Sequence, residues 1–416
     1  MNQHSNPKIR FKGYDNSLER KTIGDITTSF SGGTPKSSNK IYYEGNIPFI
    51  RSGEIKSKQT ELFISDHALK DSSAKMVEKG DILYALYGAT SGEVAISQIN
   101  GAINQAILAI KPNSGYSSEF IMNYLKKEKD NILEKYLQGG QGNLSAAIVK
   151  SIELSLPSIE EQSAIGSLFH TLDDLLASYK VNLANYQSLK AAMLSKMFPK
   201  AGQTVPEIRL DEFEGEWECL KMADIFKIID GDRGKNYPGE SDFFNVGHTL
   251  FLDTGNVKKT GLDFSSIKFI SEEKDKELRN GKLILGDFIL TSRGTLGNVA
   301  YYDENIQRDY SSVRINSAML ILRPLLGDKM SHKYILAILR GNLISDFMKV
   351  NQVGSAQPHI TKKEFSKIKV QVPSNIREQQ AIGAYFSNLD QLITSYQEKI
   401  TQLETLKKKL LQDMFI

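Results

Sequence analysis

The chain has 416 residues, 40% of them hydrophobic, which is more than one core usually serves and predicts two domains of ordinary size. No run approaches the roughly 18 apolar residues of a membrane span, the opening MNQHSNPKIRFKGYD lacks the apolar core of a signal peptide, and the single Cys219 excludes an internal disulfide or a Cys-based zinc site, so a cytoplasmic protein is expected. Net charge is only +3, but the stretch from Arg279 to Lys369 holds 14 Lys and Arg against 7 Asp and Glu, an excess that suits a polyanion on one surface and equally a solvated face.

In chain order, the first globule opens on Pro7-Lys8-Ile9-Arg10-Phe11, and FIRSGEI (49–55) follows. GDILYALYG (80–88) reads as a strand ending at a glycine-rich turn, with GEVA (92–95) just beyond it. EFIMNYLKKEKDNILEKYL (119–137) has a helical pattern, and the stretch 140–157 ends in an alternating strand, SIELSLP. A long helix is predicted over 158–198. It follows Pro157 and opens with a capping box, Ser158 with Glu161. Ile165, Leu172, Tyr179, Tyr186 and Met193 recur every seven residues beside a flanking stripe of Phe169, Leu176, Leu183 and Met197, which makes a coiled-coil seam. PKAGQTVP (199–206) is the hinge.

The remainder writes the series again. Pro206-Glu207-Ile208-Arg209-Leu210 answers the opening, and FLDTGNV (251–257), GDFI (286–289), GNVA (297–300) and AQPHITKKEFSKIKVQVP (356–373) answer the later segments, with a helical pattern at 332–350. From Asn375 the chain matches Ser158–Phe198 at 17 of 41 positions without a gap, at an offset of 217. The second capping box is Asn375 with Glu378, and its seam is Ile382, Leu389, Tyr396, Leu403 and Leu410, flanked by Phe386, Ile393, Ile400 and Met414. A helix of about 40 residues spans about 60 Å and alone would leave that stripe wet. The two copies are therefore predicted to pair antiparallel. The expected class is α+β: two similar mixed α/β domains (1–157 and 207–373) separated by two long helices (158–198 and 374–416) that form an antiparallel coiled coil, with a linker at 199–206 and approximate twofold symmetry.

Two similar modules in inverted orientation match the symmetry of a duplex, whose turn is about 34 Å. A protein scaffold with repeated protein-binding domains would be built the same way. Base readout needs Arg or Lys for guanine and Asn or Gln for adenine, and Ser, Thr, Lys and Arg also hold phosphates. Loop residues of those types, with aromatic and imidazole neighbours, are the candidates. In the first domain they are Lys36, Ser37, Arg51, Lys56, Tyr87, Thr90, Gln138, Gln141 and Asn143. In the second they are Arg233, Lys235, Asn236, Lys258, Arg293, Thr295, Arg308, Arg314, Gln352, Gln357 and His359. Gln141 and Gln357 align at an offset of 216, in polar loops ahead of a strand and the long helix.

Signals for chemistry are weak. No Gly-x-x-x-x-Gly-Lys-Ser/Thr loop occurs, GDRGKNY (231–237) has the wrong spacing, and no Pro-Pro supplies an amino-methyltransferase motif. Glu54-Ile55-Lys56 has the Glu-x-Lys form of a nuclease metal site but lacks an upstream Pro-Asp, and the six histidines show no ligand spacing. The opening motif with EWE (216–218), the Gly-Asp turns, and LP-S-x-x-E-Q-x-A-I before a long helix resemble the specificity subunits of type I restriction-modification systems over essentially the whole chain. Leu18 stands in the first copy where the second has Trp217. The resemblance implies two target recognition domains, each reading half of a bipartite double-stranded DNA site. It also implies spacer helices that set the gap and dock two DNA-adenine methyltransferase (modification) subunits, with two ATP-dependent restriction subunits able to join. On this resemblance the chain is non-catalytic and carries no cofactor, and S-adenosylmethionine, ATP and Mg are expected on its partners.

Overall fold

The two sheets of the first globule recur in the second. In the first, Thr27–Ser31, Ile107–Pro112, Ile82–Ala85 and Val94–Ile96 form an antiparallel sheet in that order. A second sheet runs Leu62–Ile64, Ile47–Ile50, Gly101–Ile103, Lys75–Val77 and contains one parallel pairing, Phe49 opposite Ala102. In the second globule Phe226–Asp230, Met319–Pro324, Phe288–Thr291 and Val299–Tyr301 repeat the first sheet. Phe269–Ile270, Thr249–Leu252 and Val313–Ile315 repeat three strands of the other, again with a parallel pair, Leu250 opposite Val313. The fourth strand is reduced to a bridge between Lys282 and Arg314. A computed structural model describes residues 7–137, 143–200, 202–351 and 359–416.

Central strands are buried along their length because each face meets a different core. Ile82 and Tyr84 join one cluster while Leu83 and Ala85 join another, and Phe288 and Leu290 separate from Ile289 in the same way. The Gly-Asp turns that feed these strands have a structural cause. Gly80 and Gly286 sit at φ of +103° and +89°, where a side chain would be strained, and the following aspartates cap the turn by accepting the amides of Glu78 and Ile284. Asp81 then meets Lys111 at 3.1 Å, and Asp287 takes a forked bond from Arg323.

The predicted helical stretches 119–137 and 332–350 are each broken in two, Ser118–Lys127 with Lys129–Leu137 and His332–Arg340 with Asn342–Asn351. Short ladders, Glu19–Thr22 with Glu153–Leu156 and Glu218–Lys221 with Lys369–Val372, tie each opening segment to the strand before the long helix. The long helices run Ile159–Lys196 and Ile376–Met414.

By compactness the chain divides into one unit of residues up to Lys180 together with Lys399–Ile416, and another of Val181–Glu398. Each unit therefore holds the N-terminal half of one long helix and the C-terminal half of the other. In the first unit Lys180 meets Glu404 at 2.7 Å and Lys407 meets Asp173. In the second, Lys190 meets Asp390, and the rings of Tyr186 and Tyr396 lie 5.3 Å apart. Both pairings are antiparallel, and every predicted seam residue is buried or half-buried.

A further difference separates the units. Where the first has Tyr124, Lys127 and Arg20, the second has Ile338, Gly341 and Cys219 at matching offsets. Tyr124 packs on Phe415 and donates to the Glu153 carbonyl, whereas the smaller set borders a cavity of about 1080 Å³.

Candidate nucleic-acid interface

The opening and helix-start motifs meet each other, which explains both. Arg10 forks onto the Glu161 carboxylate, with Nε at 3.0 Å, and Arg209 does the same to Glu378 at 2.8 Å through Nε and Nη2. Each glutamate is 1% exposed, and a buried carboxylate requires such a partner. Hydrogen bonding to the glutamate holds each guanidinium above its ordinary pKa. Glu378 has an additional donor, Trp217 Nε1 at 3.2 Å, at the position where the first copy has Leu18. The reciprocal capping boxes are thus only half formed. Ser158 Oγ accepts the Glu161 amide and Asn375 accepts the Arg377 amide, but the glutamates turn to arginine because the buried charge dominates.

The next residue completes the joint. Gln162 accepts from the Ser117 amide and donates to the Pro157 carbonyl, and Gln379 treats Ser331 and Pro373 identically. Gly166 and Gly383 let the neighbouring helix close in, since a Cβ there would lie 2.7 Å from the Glu119 Cβ and 2.6 Å from the Tyr334 amide nitrogen. Phe415 packs on Phe120 and Phe169, as Phe198 packs on Tyr334 and Phe386. These motifs hold each globule to its helix and are not presented to a ligand.

The candidate interface lies on loops gathered round a three-residue turn, Asn104-Gln105-Ala106 in the first globule and Asn316-Ser317-Ala318 in the second. In each, the asparagine side chain accepts the alanine amide, and the asparagine amide bonds the strand that carries Ile50 or Leu252. Round the first turn lie Thr34, bonded to Gln105, in the loop that holds exposed Lys36 and Ser37. Arg51, half-buried Tyr87 with its neighbour Leu86 on Ala106, and exposed Asn143 beside Leu144 complete it. Round the second, Arg233 donates to the Ser317 carbonyl at 3.0 Å and the Arg293 amide to Ala318 at 3.2 Å. Thr295 bonds the Thr254 carbonyl, Lys258 follows Val257, whose carbonyl accepts from Asn298, and exposed His359 precedes Ile360, bonded to Ser292. Exposed Lys235 and half-buried Asn236 continue the Arg233 loop.

The charges on the two loop sets are handled differently. In the first globule Arg51 is held charged by Glu54 and Glu61, and Lys56 shares Glu93 with Lys129. Hydrogen bonds from Lys129 and Lys56 hold the Glu93 carboxyl down to about 2. In the second, Arg293 is exposed and makes no ion pair among the described residues, and Arg233 comes no nearer than 3.8 Å to Asp230. Lys258 meets Asp263 at the same distance.

Several expectations are corrected. Arg314 is interior, 5% exposed, bonded to Asp275 and to the carbonyls of Asn280 and Leu278, because its strand places it against the 272–280 segment. The Thr90 hydroxyl is buried without a hydrogen-bond partner and is not presented outward. Arg308 stays an exposed candidate, but it is carried on the Glu304–Asp309 helix beside Asn305 and Asp309, with no bond to the 316–318 turn. Glu54 accepts the Arg51 amide and Nε and the Glu61 amide. Burial pushes it up, but these bonds hold it below its ordinary value, and Asn256 caps the matching turn of the second globule. Glu54 is thus a turn residue. Gln138, Gln141, Gln352 and Gln357 lie outside the described residues. Gln105, exposed and with adenine-reading chemistry, was missed. The signal available for it was the Asn-x-Ala echo at 104 and 316.

The family model for the type I restriction modification DNA specificity domain matches residues 16–213 and 214–405. The type I restriction enzyme MjaVIII specificity subunit of Methanocaldococcus jannaschii is 21% identical over 94% of this chain and 90% of its own length. The putative MjaX specificity subunit of the same organism is 22% identical over 94% and 91%. A crystal structure of a type I restriction-modification S subunit from M. genitalium superposes with a TM-score of 0.65 at 17% identity, covering 99% of both chains.

Proposed function

Because this chain belongs to the type I restriction modification DNA specificity family and carries two such domains in tandem, we propose that each globule reads one half of a bipartite DNA site through the loops gathered at 104–106 and 316–318. The observation that carries the reading is this shared turn, which presents different side chains in the two copies: the same reading frame with two half-site sequences. Arg233 and Arg293 are suited to guanine or phosphate, and Gln105 and Asn143 to adenine.

The long helices set the number of base pairs between the half-sites and dock two methyltransferase subunits. Leu175 and Leu189 on the first helix and Leu392 and Leu406 on the second are exposed at equivalent positions of the repeat. Their recurrence in both copies is what two equivalent docking positions would require. Adenine methylation and ATP-dependent cleavage fall to partner subunits, with S-adenosylmethionine, ATP and Mg bound there, and up to two restriction subunits join. The complex works in the cytoplasm, and among the described residues no helix is long and apolar enough to cross a membrane.

Genome-wide mapping of methylated adenines with and without this chain tests the reading. One split motif is expected to vanish with the chain, and one heptad inserted in each long helix is expected to change the gap while leaving both half-site sequences intact. An unaltered methylation map refutes the DNA reading, and an unaltered gap refutes the role of the helices.

A further inference from the structure

Each long helix carries one charged residue on its buried stripe. Among the ten stripe positions from Ile165 to Met197 the exception is Lys190, and among the ten from Ile382 to Met414 it is Lys407, the same position of the repeat. Both ammonium groups meet a carboxylate of the opposing helix. Lys407 is 8% exposed and pairs with Asp173, and Lys190 bonds Asp390 at 2.5 Å. The helix beside the stripe brings further positive charge, Lys126 near Lys407 and Asp173 and Arg340 near Asp390, so each aspartate is the acid for two cations.

A buried ammonium is costly unless paired, and a lone polar residue on a coiled-coil stripe selects register and direction at some expense of stability. The competing arrangements lack that pairing. A parallel alignment of equivalent positions sets Lys190 against Lys407. An antiparallel alignment slipped by one heptad offers Lys407 either Gly166 or Lys180, and offers Lys190 either Gly383 or Gln397, none of them acidic. We propose that Lys407–Asp173 and Lys190–Asp390 are positioning pairs that admit one register and one direction of the helix pair. Resting on the reading that these helices set the gap, the two pairs fix the number of base pairs between the half-sites.

Lys190→Met with Lys407→Met removes both charges and leaves the stripe apolar. Nitroxide labels on Ser178→Cys and Thr405→Cys, both exposed in the first unit, report the register in the full chain carrying Cys219→Ser, without DNA. The native stripe gives one distance. The methionine chain is expected to add a second population shifted along the helix by about 10 Å, the rise of one heptad, with only a small fall in melting temperature, because the carboxylates left behind, Asp173 and Asp390, keep 44% and 34% of their side-chain surface in water. Exchanging the charges at both pairs, Asp173→Lys with Lys407→Asp and Asp390→Lys with Lys190→Asp, is expected to restore a single distance. One unchanged distance in the methionine chain overturns the proposal, and so does its loss of helical signal, which would make the pairs a source of stability alone. Methylation mapping of the methionine chain with its partner subunits then reads the consequence as motifs with at least two gap lengths. A chain that directs no methylation fails the functional reading but leaves the distance result intact, so the two failures are separable.

Discussion

At the joints between globule and long helix the two copies share their contacts but for Trp217, while at the 104–106 and 316–318 turns they share backbone and differ in charge. Arginine to glutamate, glutamine to serine amide and proline carbonyl, and glycine against the neighbouring helix recur on both sides. Round the turns, one copy ties Arg51 and Lys56 to carboxylates and the other leaves Arg293 bare. Duplication has been kept where a buried group would be stranded by change. It has relaxed where side chains face outward, as a pair of modules reading two different sequences requires.

The largest effect is expected from breaking the joint. Arg209→Ala leaves Glu378 buried without its forked partner and is expected to cost about 3–5 kcal/mol in urea unfolding. Arg10→Ala should fall at the upper end, because Glu378 retains Trp217 Nε1 and Glu161 has Leu18 in its place. Equal losses would mean that the indole contributes nothing.

Gly383→Ala comes next, at about 1–3 kcal/mol by thermal melting, since the new methyl meets the backbone of Lys333 and Tyr334. Gly166→Ala should fall at the lower end of that range, because it meets one atom below 3 Å, the Glu119 Cβ at 2.7 Å, where Gly383 meets three.

The third effect concerns the loops. In the complex with its methylation partners, Arg293→Ala is expected to weaken DNA binding by about 1 kcal/mol and to lower the salt slope by about one. Arg51→Ala should change both less, because its charge is already neutralised by Glu54 and Glu61. Titrating binding against salt for both variants decides it.

The smallest is acid dependence. Lys129 and Lys56 depress the Glu93 carboxyl to about 2, so its contribution is complete above the ordinary carboxylate range and is lost as pH falls from there towards 2. Glu93→Gln should flatten that part of the stability profile in urea titrations between pH 7 and 3. The second globule, with Asn298 at the matching position, should show no counterpart.

The repeat, the long helices and the central strands were legible because each rests on local periodicity that burial then enforced. The interface was only partly legible. Residue type marks an arginine as able to reach DNA, but whether it points outward depends on strand pairing. Arg314 sits one residue from Val313 on a strand buried along its length, and its charge is absorbed by Asp275, 39 residues away. Gln105 was overlooked because it sits in a turn with little composition signal, although Asn104 and Ala106 echo Asn316 and Ala318. The sequence presents Arg10 and Arg209 only as part of an opening motif, and the fold shows that Glu161 and Glu378 are the reason for them.

The division of the chain also sets an order of assembly. Residues 181–398 carry everything their own unit needs, whereas the other unit waits for Lys399–Ile416, whose Phe415 packs against Phe120 and Phe169. A ribosome delivering about 5–20 residues per second thus releases the second module's parts before the first can close, and until then the nascent amino-terminal globule exposes the aromatic pocket that Phe415 will fill.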